Sequence, residues 1–157
     1  MSLIQSVQFY LPELLIAIKE TFIMMGIAVI SCLVFGLPLG IMMFDANPQI
    51  KGKRHFRYWF FNFFVTFVRS FPYLLFVITL IPLTRLLLGR AFGPYPASFP
   101  LSIIGVVIVA RLVEQVLLDV PVETRALADA LGATKWQYIW HFLLPEARSG
   151  LILAYTT

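Results

Sequence analysis

Charge is scarce in this sequence. Asp, Glu, Lys and Arg make up 13% of its 157 residues, about half the ~25% of an ordinary soluble domain. That scarcity excludes a water-soluble fold of this length. Cysteine is nearly absent. Cys32 stands alone inside an apolar run, so no internal disulfide can form and no thiolate cluster is present. It reads as a small packing residue. His55 and His141 are equally isolated, with no carboxylate or thiol at ligand spacing, so no metal site is expected. The sequence contains no G-x-x-x-x-G-K-[ST] phosphate loop. It has no nucleophile elbow and no Ser/His/Asp or Cys/His arrangement to nominate. No catalytic residue and no cofactor-binding residue is assigned, and the chain does not read as an enzyme. Basic residues do not form a face interleaved with aromatics, so nucleic acid is not an expected partner. No repeat, low-complexity tract or linker divides residues 1–157, which read as one domain.

What the sequence has instead is oil. Apolar residues account for 60% of it, and its mean hydropathy is +0.87. The matching solvent is a lipid bilayer. The predicted fold class is all-α, a polytopic bundle of transmembrane helices. Three spans are expected, at about 21–44, 58–84 and 101–118, and a fourth apolar run opens near Gly150. The first carries no charge, and the second is apolar except for Arg69. The third is interrupted by Arg111 and Glu114, and a cluster of Gly93, Pro94, Pro96 and Pro100 marks its entry. The segment 11–19 is expected to lie at the interface and lead into the first span. That span reads as permanent rather than a cleaved signal. It is too long for a signal core, Glu13 and Glu20 precede it with Lys19 as their one base, and no small-residue cleavage site follows.

The basic residues fall unevenly. The connection 45–57 holds Lys51, Lys53, Arg54 and Arg57, and the stretch 119–148 holds Arg125, Lys135 and Arg148. The other side has Lys19, Arg85 and Arg90. The positive-inside rule then places both richer regions in the cytoplasm and the N-terminus outside.

The most informative of these regions is 122–145. Ala126, Leu127, Ala130 and Leu131 recur at helical spacing as a short apolar face, and Arg125 and Asp129 sit four apart on another. Gly132 is a natural helix stop. Thr134-Lys135-Trp136-Gln137 has the pattern of a capping box that opens a second helix. Trp136, Ile139, Trp140 and Leu143 are expected along one side of it, and Pro145 ends or bends it. Two short amphipathic helices therefore meet at Gly132. Periodicity alone leaves two readings: a helical loop resting on lipid headgroups, or a knob that docks into a groove on a cytosolic partner.

The same region resembles the EAA loop of ABC-importer permeases. That pattern is Glu-Ala-Ala, three residues, Gly, nine residues, an apolar residue, any residue, then Leu-Pro. Here the triplet is Ala126-Leu127-Ala128, followed by Asp129, Ala130, Leu131 and Gly132, then Ala133 and on to Phe142, Leu143, Leu144 and Pro145. The spacing from Gly to Pro matches. The departure is at position 126, which should be Glu and is Ala, with Glu123 one turn earlier available in its place. The motifs Val68-Arg69-Ser70-Phe71-Pro72, Ile81-Pro82-Leu83-Thr84-Arg85 with Gly89, Ala110-Arg111-Leu112-Val113-Glu114 and Leu131-Gly132-Ala133-Thr134 are similar to the methionine importer group of that family.

The resemblance covers roughly residues 15 to 155. It implies a permease subunit without ATPase activity of its own, working as a homodimer. Two ATP-binding subunits would sit at the cytoplasmic face and a substrate-binding lipoprotein outside. The loop would be the coupling helix, with residues 125–133, Phe142, Leu144 and Pro145 at the ATPase contact. Members have about five spans, so the chain is expected to be a truncated or partial form. Within the class, another amino acid or small solute is the alternative cargo. Outside it, the alternatives are a passive channel or a membrane assembly factor.

The charges inside the apolar runs call for partners. Arg69 is expected about 16 Å into its span at ~1.5 Å per residue, and Arg111 at similar depth. Each such charge costs at least ~2.5 kcal/mol on insertion scales. Two readings stay open. Glu114 pairs with Arg111 three residues away or with Arg69 across helices, or one arginine faces the path and attracts a substrate carboxylate. The phenylalanines at 60, 61, 63, 64 and 67 read as lipid-facing or packing residues. Gly36-Leu37-Pro38-Leu39-Gly40 reads as a bend or a close helix contact.

Overall fold

The computed structural model describes residues 3–51 and 56–156. Lys53, Arg54 and His55 lie outside the described residues. Within them the chain is helical and contains no strand. Helices α1 (Leu3–Ser31) and α2 (Leu37–Ala46) are joined by a single widened π turn, Cys32–Gly36. They make one continuous apolar helix, Tyr10–Ala46, 37 residues long. At 1.5 Å per residue that is about 55 Å, well beyond the ~30 Å of hydrocarbon. The segment 11–19, expected as an interfacial lead-in, is continuous with the spanning helix, as its N-terminal part.

A short α3 (Pro48–Lys51) follows. Next come α4 (Phe56–Ser70) and α5 (Tyr73–Leu88), bent by 110° at their junction. The expected single span over 58–84 is therefore two helices. The cause is local. A proline disfavours helical geometry in the residue before it and has no N–H to continue the ladder. Pro72 accordingly sits outside both helices, at φ −55° and ψ 131°, and caps the start of α5. Gly89, at φ +70°, stops α5 in the left-handed conformation that glycine adopts cheaply. Helix α6 (Pro94–Leu118) is the second helix long and apolar enough to cross a membrane, and it begins at Pro94 rather than near 101.

Helix α6 is the axis of the bundle. Lipid supplies no hydrophobic drive for helices to associate, so close backbone approach has to do it. The glycines provide that approach. A Cβ on Gly36 would stand 2.6 Å from Val109 Cγ1, and one on Gly40 would stand 2.6 Å from Val113 Cβ and 2.8 Å from the Ala110 carbonyl oxygen. Gly105 meets the Cys32 sulfur in the same way. These pairings increase together along both helices, so α1–α2 and α6 run parallel. A parallel pair obliges the connection between them to return the chain from one end of the bundle to the other. The bent α4–α5 pair makes that return crossing.

Met43, Val65, Val68, Phe76, Val107 and Ala110 pack where α2, α4, α5 and α6 meet. Phe44, Val113, Leu117, Leu143, Ala147 and Leu151 pack at the far end of α6.

Beyond α6 lie α7 (Val122–Ala130), α8 (Lys135–Gln137), a second π turn Tyr138–Leu143, and α9 (Leu144–Thr156), which packs back on α6 with Gly150 against Val116. Both π turns end two residues before a proline, Pro38 and Pro145. A proline removes one backbone donor and its ring crowds the carbonyl four residues back. A widened turn just upstream absorbs both effects without ending the helix. Pro145 therefore neither ends its helix nor breaks it.

Candidate functional site

Helix α7 is closed at its C-terminus by a pair of backbone bonds. Gly132 takes φ +68°. Its N–H donates to the Asp129 carbonyl at 3.1 Å, and the Ala133 N–H donates to the Ala128 carbonyl at 3.0 Å. These two bonds are a Schellman stop, and the positive φ explains why glycine stands there. The next helix opens on the expected capping box. The Thr134 N–H donates to Gln137 Oε1 at 2.8 Å, and the Gln137 N–H returns to Thr134 Oγ1 at 3.4 Å.

Between these ends the apolar residues divide in an unusual way. Ala128 is buried, while Leu127 and Leu131 are 55% and 67% exposed and Val122 is 78% exposed. Ala126, Asp129 and Ala130 are exposed as well, and Ala133 is half-buried. The larger apolar side chains of this short helix face outward. Arg125 differs. It is half-buried, and its guanidinium donates to the Ile50 carbonyl of α3 at 3.1 Å. That bond brings together the two basic regions, 45–57 and 119–148.

The expected stripe Trp136–Ile139–Trp140–Leu143 is split. Trp136 and Trp140 pack with tilted rings, 5.7 Å between centroids, on the exposed side, while Ile139 is half-buried and Leu143 fully buried. Residues four apart stay together, Trp136 with Trp140 on the outer row and Ile139 with Leu143 on the inner one, so the stripe straddles the boundary of the packed face. Phe142 and Leu144 are half-buried, and Pro145 is exposed. Phe142 and Pro145 line a cleft of about 440 Å³ with Glu123, Leu127, His141 and Glu146. Glu123, one turn before the position of the missing motif glutamate, thus lies in the same cleft as Leu127. Tyr138 sits behind α7 near Arg125 and Asp129, and burial pushes its phenol pKa up.

The intramembrane charges resolve into one pair and one outlier. Glu114 is fully buried. Its Oε2 accepts from Arg111 Nη1 at 2.6 Å, and its Oε1 accepts from Asn47 Nδ2 at 2.8 Å. The same Arg111 nitrogen reaches Asn62 Oδ1 at 3.4 Å, and Tyr58 Oη stands 3.5 Å from Asn47 Nδ2. Both charges lie in the C-terminal third of α6. Arg69 is exposed in the last turn of α4, next to the break at Pro72, and makes no ion pair among the described residues. The i,i+3 pairing with Arg111 is the one the structure forms. Arg69 is not Glu114's partner.

The model of the family of binding-protein-dependent transport system inner membrane components matches residues 36–156. This chain belongs to that family. As a binding-protein-dependent transport component, it is 34% identical over 137 residues to the D-methionine transport system permease protein MetI of Yersinia pestis. It is 33% identical over 138 residues to the protein of the same name from Escherichia coli K12. Each alignment covers 87% of this chain and 63% of the relative. The chain thus spans less than two thirds of those relatives' length.

Two solved structures of inward-facing conformations of the MetNI methionine ABC transporter superpose on it. The CY5 native form gives a TM-score of 0.80 at 29% identity, over 92% of this chain and 68% of that one. The CY5 SeMet soak form gives 0.77 at 30%, over 88% and 64%. The all-α membrane bundle expected from composition is the fold of this inner-membrane component.

Sequence reasoning missed Asn47, Tyr58 and Asn62 in this transport component. Asn62 carried a signal, a lone amide in the aromatic run of α4. Asn47 precedes a proline and reads as an ordinary turn residue.

Proposed function

We propose that the chain is the permease part of an ATP-driven importer that moves methionine, or a closely similar amino acid, into the cell by alternating access. Two copies line the path. Two ATP-hydrolysing subunits dock at the α7 end, and a substrate-binding lipoprotein delivers cargo at the opposite face. The N-terminus lies outside and α7 in the cytoplasm, in keeping with the bias of Lys and Arg toward the α3 and α7 end. The names of the relatives support the choice of cargo.

The observation that carries this reading is the outward apolar face of α7. Leu127 and Leu131 stand exposed on a helix stopped sharply at Gly132. A helix that turns its larger apolar residues away from its own core is built to fill a groove on a partner. Closure of the ATPase pair pushes on this helix and tilts the spans attached to it. Arg111 and Glu114 act as a buried ion pair, and exposed Arg69 is the arginine open to attract a substrate carboxylate.

The test is pull-down of the ATPase subunit together with its hydrolysis rate in vesicles. Leu131→Asp puts a charge into the apolar contact. It is expected to leave membrane insertion intact, to weaken docking and to abolish stimulated hydrolysis. Docking and stimulation at the parent's level would reduce α7 to a helix resting on the lipid surface.

A further inference from the structure

Five polar side chains, linked through the α3 turn, form one chain of hydrogen bonds from α7 to α6 and α4. Arg125 Nη1 on α7 donates to the Ile50 carbonyl at 3.1 Å. Ile50 belongs to α3, a single turn whose start is capped by Asn47. Asn47 Oδ1 accepts from the Gln49 N–H at 2.9 Å, and the Asn47 carbonyl accepts from the Ile50 N–H at 3.1 Å. The other end of the same amide donates to Glu114 on α6 at 2.8 Å, and Glu114 holds Arg111, which reaches Asn62 on α4. Asn47 and Glu114 are both buried. Hydrogen bonds at such desolvated groups are costly to leave unmade, so the groups move together rather than slide as apolar contacts do.

We infer that Asn47 is a positioning residue that couples displacement of α7 to the Arg111–Glu114 pair. Among the described residues, its carboxamide is the one side chain that bonds both the α3 turn and α6. A push on α7 is carried through Arg125 to the α3 turn, and from there through Asn47 to the end of α6. Because α6 packs against α1–α2, α4, α5 and α9, a shift at its end reorients the bundle. The functional consequence rests on the importer reading above. The mechanical link does not.

The closing experiment separates the two. A double-mutant cycle in detergent measures unfolding of the parent, Arg125→Met, Glu114→Gln and the double variant. Arg125 and Glu114 share no bond, and independent distant sites multiply their effects on the unfolding constant to within about twofold. A linked pair is expected to fall short of that product by fivefold or more, with Arg125→Lys, which keeps a donor, restoring most of the parent's behaviour. A product obeyed within twofold overturns the link, whatever the chain transports.

The second readout uses the complex with its ATPase subunits. Asn47→Ser keeps an oxygen to cap α3 but is too short to reach Glu114. It is expected to retain ATPase docking and stimulated hydrolysis while the ATP consumed per substrate moved rises severalfold. A purely structural role lowers hydrolysis and uptake together at a constant ratio, and that result also overturns the inference. A parent complex that never hydrolyses ATP counts against the importer reading alone, and the cycle still decides the link.

Discussion

Alanine at Gly36 and at Gly40 should destabilise the bundle, and only one of the two changes should be rescued from the facing helix. A Cβ at Gly36 meets side-chain atoms only, Val109 Cγ1 at 2.6 Å and Cβ at 3.0 Å. A Cβ at Gly40 meets Val113 at 2.6 Å and also the Ala110 carbonyl oxygen at 2.8 Å. Ordinary contact begins about 0.8–1 Å further out, so the helices must part along a well-packed seam. Overpacking of that kind costs about 1–3 kcal/mol. Against it stands the gain of ~1 kcal/mol from replacing a helical glycine by alanine. The expected net loss at Gly36 is up to about 2 kcal/mol. It is larger at Gly40, where backbone rather than a side chain is in the way.

Gly26 is the control. It faces open space, so Gly26→Ala keeps only the propensity gain and should be neutral or stabilising. Val109→Ala removes the Cγ1 obstacle and should recover most of the loss in Gly36→Ala. Val113→Ala should recover little in Gly40→Ala, because the carbonyl remains. The assay is reversible unfolding in mixed micelles, read by tryptophan fluorescence. Equal stability of Gly26→Ala and Gly40→Ala, or full rescue of Gly40→Ala by Val113→Ala, would refute the close-packed parallel seam.

The two intramembrane arginines should behave differently. Arg111→Gln leaves Glu114 buried without its cation and is expected to cost about 3–5 kcal/mol, whereas exposed Arg69→Gln should stay within about 0.5 kcal/mol of the parent. Equal losses in the same unfolding assay would mean that Arg69 is also engaged. For orientation, single cysteines at Gln137 and Pro94, in a background with Cys32 replaced, should be labelled from opposite sides by an impermeant reagent. Gln137 should react only from the cytoplasm, and its labelling in intact cells would reverse the assigned orientation.

Some local features were legible because they depend on neighbours along the chain. The stop at Gly132 and the box at Thr134 follow from residues within a few positions of each other, and the structure contains both. The break between α4 and α5 was equally local, since Pro72 stands within the apolar run, but hydropathy averages across a proline and reads one span. The π turns have the same origin. Pro38 and Pro145 were read as bends or stops, and the backbone found a third solution that keeps the helix going.

By itself the sequence determined the solvent, the helical class, the apolar runs, the glycine stop of α7 and the capping box that follows it. Composition decides the first, and short-range periodicity and steric preference decide the rest. Only the tertiary structure decided the partners. Val109 and Val113 are ordinary branched residues until Gly36 and Gly40 admit them, and the parallel seam they define is what makes α4–α5 a return crossing. Glu114 had two arginines within reach of argument. The choice of Arg111, and the recruitment of Asn47 across 67 positions of sequence, came from which helix ends the packing brings together. A buried charge needs whatever polar group the fold places beside it, and that placement is a property of the assembled bundle rather than of any segment in it.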